Sequence, residues 1–180
     1  IFGDTTHREL KPRLGRRSAL RFVHQLAEHA DWPQRGQSPL DEKGSDPFGN
    51  PLVQAMSALR RVARPGSLVV VISDFKGFDR AAQSYLSSVA RHNEVLAVFM
   101  NDPLERRLPP PGRYRIVSPT DELAIDTFAT AARRDYEKEF ADRAENLENF
   151  CHRYGVHLMP MSTDDDPVAT LQTALGRRTH

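Results

Sequence analysis

An α/β fold, a mostly parallel sheet flanked by helices, is the class this sequence predicts, and three observations carry the prediction. The stretch "SLVVVISDF", Ser67 to Phe75, holds an unbroken apolar run from Leu68 to Ile72, rich in β-branched residues, of the kind that suits a strand covered on both faces. A second such run, "EVLAVFM", Glu94 to Met100, follows after a helical segment that Asp79 caps and that reaches about Arg91. A third, "VHLMPM", follows a long helix, and this alternation of strand and helix is the signature of an α/β domain.

In chain order, Ile1 and Phe2, a turn at Gly3 to Thr6, and His7 to Leu10 read as the tail of one strand and a short second one. Between Arg16 and Ala30, apolar Leu20, Val23, Leu26, Ala27 and Ala30 recur at helical spacing. Asp31 to Pro51 is rich in Pro, Gly and Asp and reads as a long loop, a length that is usually functional or disordered. Leu52 to Arg64 returns to helix, with Leu52, Ala55, Met56 and Leu59 on one face, and Pro65-Gly66 stops it.

After Asn101, "DPLERRLPPPG" reads as loop, and "RYRIVS" with "ELAIDTF" reads as a β-hairpin over residues 113–127, inserted into an otherwise single domain spanning 1–180. A long helix runs from Ala129 to Tyr154 with Tyr136, Phe140, Ala144, Leu147 and Cys151 on its apolar stripe, and Gly155 ends it. Val168 to Leu175 is the last helix; Asp166 before Pro167 reads as its N-cap with proline in the first turn, in preference to a calcium ligand.

The composition narrows the function classes. A chain of 180 residues buries roughly 70% of the surface it exposes when unfolded, so one core suffices. With 25 Lys and Arg against 24 Asp and Glu, and the arginine pairs scattered, no strong footprint on nucleic acid is expected. The single cysteine, Cys151, rules out an internal disulfide and fits a reducing, cytoplasmic setting. No apolar run approaches the roughly 20 residues that span a bilayer. The opening "IFGDTTHREL" lacks an initiator Met, and a piece of a longer protein is expected.

The residue that invites chemistry is Asp74. In an open parallel sheet the ligand crevice lies at the carboxyl ends of the strands, where this aspartate follows the first apolar run. A helix cap is the competing reading, but Asp79 is better placed for that, so a catalytic or metal-binding role is preferred over a turn residue. Such a carboxylate can attack phosphate, which would favour a second acid two residues on where Lys76 stands, act as general base, or hold Mg²⁺ with hydroxyls and water from neighbouring loops.

"GSLVVVISDF", "HNEVLAVFMNDPLERRLP" and "YGVHLMPMSTDDDPVATL" together resemble the bacterial family called domain of unknown function 58, a branch of the von Willebrand factor A-like fold. The resemblance implies a metal-ion-dependent adhesion site built from Asp-x-Ser-x-Ser after the first strand, a Thr on a later loop and an Asp after the fourth strand. Asp74 matches the last of these; the Thr loop is expected at Gly44 to Asp46, where Ser45 would supply the hydroxyl, or at Gly49 to Pro51. Asp-x-Ser-x-Ser itself does not occur in the chain. The expected domain is therefore N-terminally truncated, without its central first strand and most of its ligands. Mg²⁺ or Mn²⁺ is expected to bind weakly or not at all, and the gap would be met by docking, a strand swap or dimer, or reorganisation.

Other chemistry is not signalled. The seven histidines lack metal-ligand spacing, Cys151 falls on an apolar stripe, and there is no Walker loop, G-x-S-x-G elbow or G-x-G-x-x-G. Two function classes stay in view. One is a non-enzymatic interaction domain, which the resemblance links to MoxR-type AAA+ ATPases as an adaptor. The other is a Mg²⁺-dependent hydrolase or phosphotransferase using Asp74. A second carboxylate together with an anion-binding Lys or Gly-rich loop beside Asp74 would favour the enzyme, and hydroxyl ligands on an exposed crest the binder; the sequence shows no such catalytic set, so the interaction domain is the expectation.

Overall fold

The computed structural model describes residues 1–2, 8, 10, 15–28, 50–117 and 122–176. At its centre three parallel strands, β1 (Leu68–Ser73), β2 (Glu94–Asn101) and β5 (His157–Ser162), lie in the order β1-β2-β5. Val71 pairs with Ala97, and Ala97 with Leu158, so this row of side chains points to one face. The helices α1 (Arg16–Ala27) and α2 (Pro51–Val62) precede the sheet, and α3 (Arg80–Ala90) joins β1 to β2. Between β2 and β5 come α4 (Pro103–Arg106), a hairpin of β3 (Arg113–Val117) and β4 (Glu122–Asp126), and α5 (Thr130–Tyr154); α6 (Pro167–Gly176) follows β5. This is the α/β class expected, a parallel sheet flanked by helices as in Rossmann-like and von Willebrand factor A-like folds.

One face of the sheet carries the main core. Val69, Val71, Val95, Ala97 and Phe99 of the strands pack with Leu52, Ala55 and Met56 of α2, Ala82, Leu86 and Val89 of α3, and Leu147, Phe150 and Cys151 of α5. The periodicity that predicted these helices is the periodicity of this contact surface. Gly155 ends α5 at φ 67°, and the Val156 N–H closes on the Cys151 carbonyl at 2.9 Å, a left-handed cap that favours glycine.

The second face differs from expectation. Leu96, Val98, Met159 and Met161 are buried there, but Leu68, Val70 and Ile72 of β1 are 61%, 49% and 62% exposed. β1 is an edge strand of the described sheet, and α2, α3 and α5 all pack on its other face, so its apolar run is covered on one side only. Helix α1 also ends earlier than expected, at Ala27 with Glu28 as its cap, and none of its residues is buried.

"DPLERR" likewise corrects the loop reading, because Asp102 accepts from the Leu104 N–H at 2.8 Å and, with Pro103 in the first turn, starts the short α4. The hairpin forms with Arg113 opposite Asp126 and Tyr114 opposite Ile125. Thr127 staples its base, donating to the Pro110 carbonyl at 2.8 Å and accepting from the Gly112 N–H at 3.0 Å. At the start of the chain Ile1 and Arg8 exchange two backbone hydrogen bonds, the kernel of the expected strand pair. Of the loop expected from Asp31 to Pro51, residues 31–49 lie outside the described residues, as do the turns at Gly3 to Thr6 and Pro119 to Asp121, while its end is helical, with Asn50 the N-cap and Pro51 the first residue of α2.

Candidate functional site at the strand ends

Three polar pairs emerge where the parallel strands end: Ser73-Asp74 after β1, Asn101-Asp102 at β2, and Ser162-Thr163 at β5. Asp74 stands where the sequence placed it, beyond the carboxyl end of β1. It does not cap α3. That role belongs to Asp79, whose Oδ1 accepts from the Ala81 and Ala82 N–H groups at 2.9 Å each.

The loop from Ser73 to Asp79 is held from several sides. Phe75 is fully buried and sits at φ 51°, a left-handed conformation that bulky residues rarely adopt. Its ring meets Phe78 at 5.5 Å and Phe99 at 6.4 Å, both edge-on. Ser73 Oγ accepts from the Phe75 N–H at 3.0 Å, and Asp74 Oδ1 from the Lys76 N–H at 3.2 Å. Asp74 Oδ2 faces Lys76 Nζ at 3.6 Å.

Asn50 clasps this loop from the far side. Its Oδ1 accepts from the Leu52 and Val53 N–H groups, capping α2, while its Nδ2 donates to the Gly77 carbonyl at 2.5 Å and to Asp79 Oδ2 at 3.4 Å. Gly77 is at φ 72°, and a Cβ there would come within 2.7 Å of the Asn50 amide. Asn50→Ala is expected to cost about 1–2 kcal/mol in urea unfolding, the cap plus the tether. Amide hydrogen exchange at Leu52 and Val53 should accelerate in the same variant; unchanged exchange there would remove the clasp account.

The β2 and β5 ends are tied to each other. Asp102 Oδ2 accepts from the Thr163 hydroxyl at 2.7 Å, and the Thr163 N–H donates to the Asn101 carbonyl at 2.9 Å. The Leu104 N–H first, and the Thr163 hydroxyl second, hold the Asp102 carboxyl below the usual aspartate range. Buried Asn101 donates to the Met161 carbonyl at 3.3 Å and accepts from Arg106 Nε at 2.6 Å. A half-buried Arg143–Glu105 pair at 3.1 Å and the Tyr136 hydroxyl on the Leu104 carbonyl at 3.0 Å fix α4 to α5. Burial, then Glu105, push the Tyr136 phenol up. Asp166 caps α6 through the Val168 and Ala169 N–H groups at 2.8 and 3.2 Å, as its sequence context implied.

Asn50 was not singled out by sequence reasoning; Asp102 and Thr163 entered it only within the stretches that carry the family resemblance, and Lys76 only as the residue standing where a second acid would be. The Asp-Pro pair at Asp102-Pro103, read there as loop, has the same helix-start pattern as Asp166-Pro167 and is the signal that could have marked one of them.

Mg²⁺ and Mn²⁺ ask for an octahedron of oxygens, usually with one or two carboxylates. Beside the Asp74 carboxylate stands the Ser73 hydroxyl, 3.5 Å from Asp74 Oδ1. Ser45 lies outside the described residues. Among the described residues no group of three or more His, Cys, Asp or Glu side chains is arranged to hold a metal ion. One carboxylate and one hydroxyl, each already engaged within the turn, fall short of that octahedron among the described residues.

Comparison with known proteins places this architecture in context. A family model described as protein of unknown function DUF58 matches residues 1–146. An uncharacterized protein of Mycobacterium avium is 31% identical over 124 residues, covering 67% of this chain and 71% of that relative. Uncharacterized proteins of Mycobacterium bovis and Mycobacterium tuberculosis are 30% identical over 144 residues, 79% of this chain, which spans only 43% of their length. No solved structure gives a significant match.

Proposed function

Starting from the fact that this chain belongs to the DUF58 family, we propose that it is a non-enzymatic protein-interaction domain. The observation that carries the proposal is the outer face of β1. Leu68, Val70 and Ile72 alternate with the buried Val69 and Val71, so three large apolar side chains stand in a row on one exposed face. Covering the exposed half of such side chains is worth roughly 1–1.5 kcal/mol each, and contiguous exposed apolar surface marks sites where another polypeptide packs. Beside it, the strand ends offer a carboxylate, hydroxyls and an ammonium on a loop braced by Phe75 and Asn50, which suits recognition by a fixed surface.

The partner we propose is a MoxR-type AAA+ ATPase, for which the domain would act as an adaptor in the cytoplasm. No helix among the described residues is long and apolar enough to cross a membrane. The direct test is calorimetric binding between the purified chain and a MoxR-type ATPase encoded in the same genome. Val70→Thr with Ile72→Thr keeps both positions β-branched, and is expected to weaken binding at least about tenfold with the circular dichroism unchanged. Absence of binding would sink the ATPase partnership. Turnover of a phosphate ester that disappears in Asp74→Ala would replace the interaction reading with the Mg²⁺-dependent hydrolase.

A further inference from the structure

Asp74 is already supplied with a cation. Its Oδ1 accepts the Lys76 N–H at 3.2 Å and lies 3.5 Å from the Ser73 hydroxyl, and Ser73 Oγ in turn accepts the Phe75 N–H at 3.0 Å. The two oxygen-bearing side chains of this turn are thus closed on each other and on the backbone. The oxygen left over, Oδ2, faces the Lys76 ammonium at 3.6 Å. The pairing follows from the chain path. Phe75, between the two residues, is turned wholly into the core at φ 51°, leaving Asp74 and Lys76 together on the solvent side.

We infer that Lys76 is the resident cation of this crest: its ammonium neutralises Asp74 where a divalent ion would have to bind, so the crest works without bound metal and a metal must first displace Lys76. This concerns the same crest as the interaction reading but does not depend on it, since a crest without metal is compatible with capture of a partner or with none. The lysine and aspartate side chains are 55% and 37% exposed, so the pair adds little to folding stability. Its consequence is local charge. One unit of charge about 4 Å away changes binding of a monovalent ion in water by roughly fivefold, and a divalent ion by the square of that. Screening at physiological salt brings the expectation to about tenfold.

The test is a Mn²⁺ titration of the whole ¹⁵N-labelled chain in 0.15 M salt, reading paramagnetic broadening of the Asp74, Phe75 and Lys76 amide signals. Lys76→Met keeps the aliphatic stem and removes the charge, and Lys76→Arg keeps the charge. The Met variant is expected to broaden at about tenfold lower Mn²⁺ than the native chain, the Arg variant to follow the native curve, and Asp74→Asn combined with Lys76→Met to lose the effect. A Met variant titrating like the native chain overturns the inference, as does crest broadening of the native chain at micromolar Mn²⁺. The spectra report at the same time that each variant is folded, and no partner enters the readout.

Discussion

Phe75→Ala is expected to lower the unfolding free energy by about 3–5 kcal/mol, and Phe75→Gly by about 1 kcal/mol less than that. The first figure is the usual cost of truncating a buried phenylalanine, the lost transfer energy plus the cavity left behind. The cavity should be hard to close here, because the ring is fully buried and is gripped by Phe78 and Phe99, with Phe78 in turn edge-on to Phe150 at 5.0 Å. The second figure comes from the backbone. At φ 51° an alanine carries the left-handed penalty that glycine escapes. Elsewhere in an ordered segment glycine is the worse replacement, since it has more freedom to lose on folding. The reversed order, Gly above Ala, is therefore the diagnostic, and urea unfolding of the two variants measures it. Alanine at least as stable as glycine would mean that the conformation at position 75 relaxes once the ring is gone, and that the left-handed turn is imposed by the ring and not by the rest of the crest loop.

The same residue shows what was and was not legible beforehand. The apolar run from Leu68 to Ile72 and the one in Glu94 to Met100 were read as strands, and both form, because continuous β-branched runs between helical segments have few other solutions. Asp79 before a helical segment, Asp166 before Pro167 and Gly155 after a long apolar stripe each gave a helix boundary, since capping is decided by a few neighbouring residues. Coverage of a strand is a different kind of fact. Nothing in "LVVVI" says which elements will lie above it, and the outer face of β1 stands exposed where burial was expected.

The crest was legible only as far as Asp74. The partners that define its chemistry follow from a left-handed phenylalanine and from contacts between segments far apart in the chain: Asn50 reaches Gly77, and Thr163 reaches Asp102. Such pairings depend on the register of parallel strands and on loop geometry, neither of which leaves a periodic trace in sequence. Lys76 was noticed as standing where a second acid would be, but its ion pair with Asp74 needed the turn at Phe75 to become apparent.

Cys151 is expected to react with a thiol reagent at pH 8 about a thousandfold more slowly in the native chain than in the urea-unfolded chain. Burial against α5's neighbours, with a smaller contribution from Glu148, pushes its thiol from the ordinary 9.0 up to about 12, and the side chain is only 2% exposed. Reaction requires the thiolate, so a shift of this size cuts the reactive fraction at pH 8 by about a thousandfold before access is considered. The same shift fixes a pH dependence. The folded state holds the proton more tightly than the unfolded one, so the contribution of Cys151 to stability is intact below about pH 9 and is lost as the pH climbs towards 12. Cys151→Ala should flatten that alkaline decline, provided the tyrosines are accounted for by comparing the two proteins at each pH. The labelling rate also reports on dynamics. Cys151 lies in the part of α5 that packs on the sheet with Leu147 and Phe150. Labelling that accelerates with urea in step with global unfolding would place this end of α5 in the last structure to open. Labelling that proceeds at the unfolded rate under native conditions would mean that the end of α5 opens locally, and would remove Cys151 from the cooperative core.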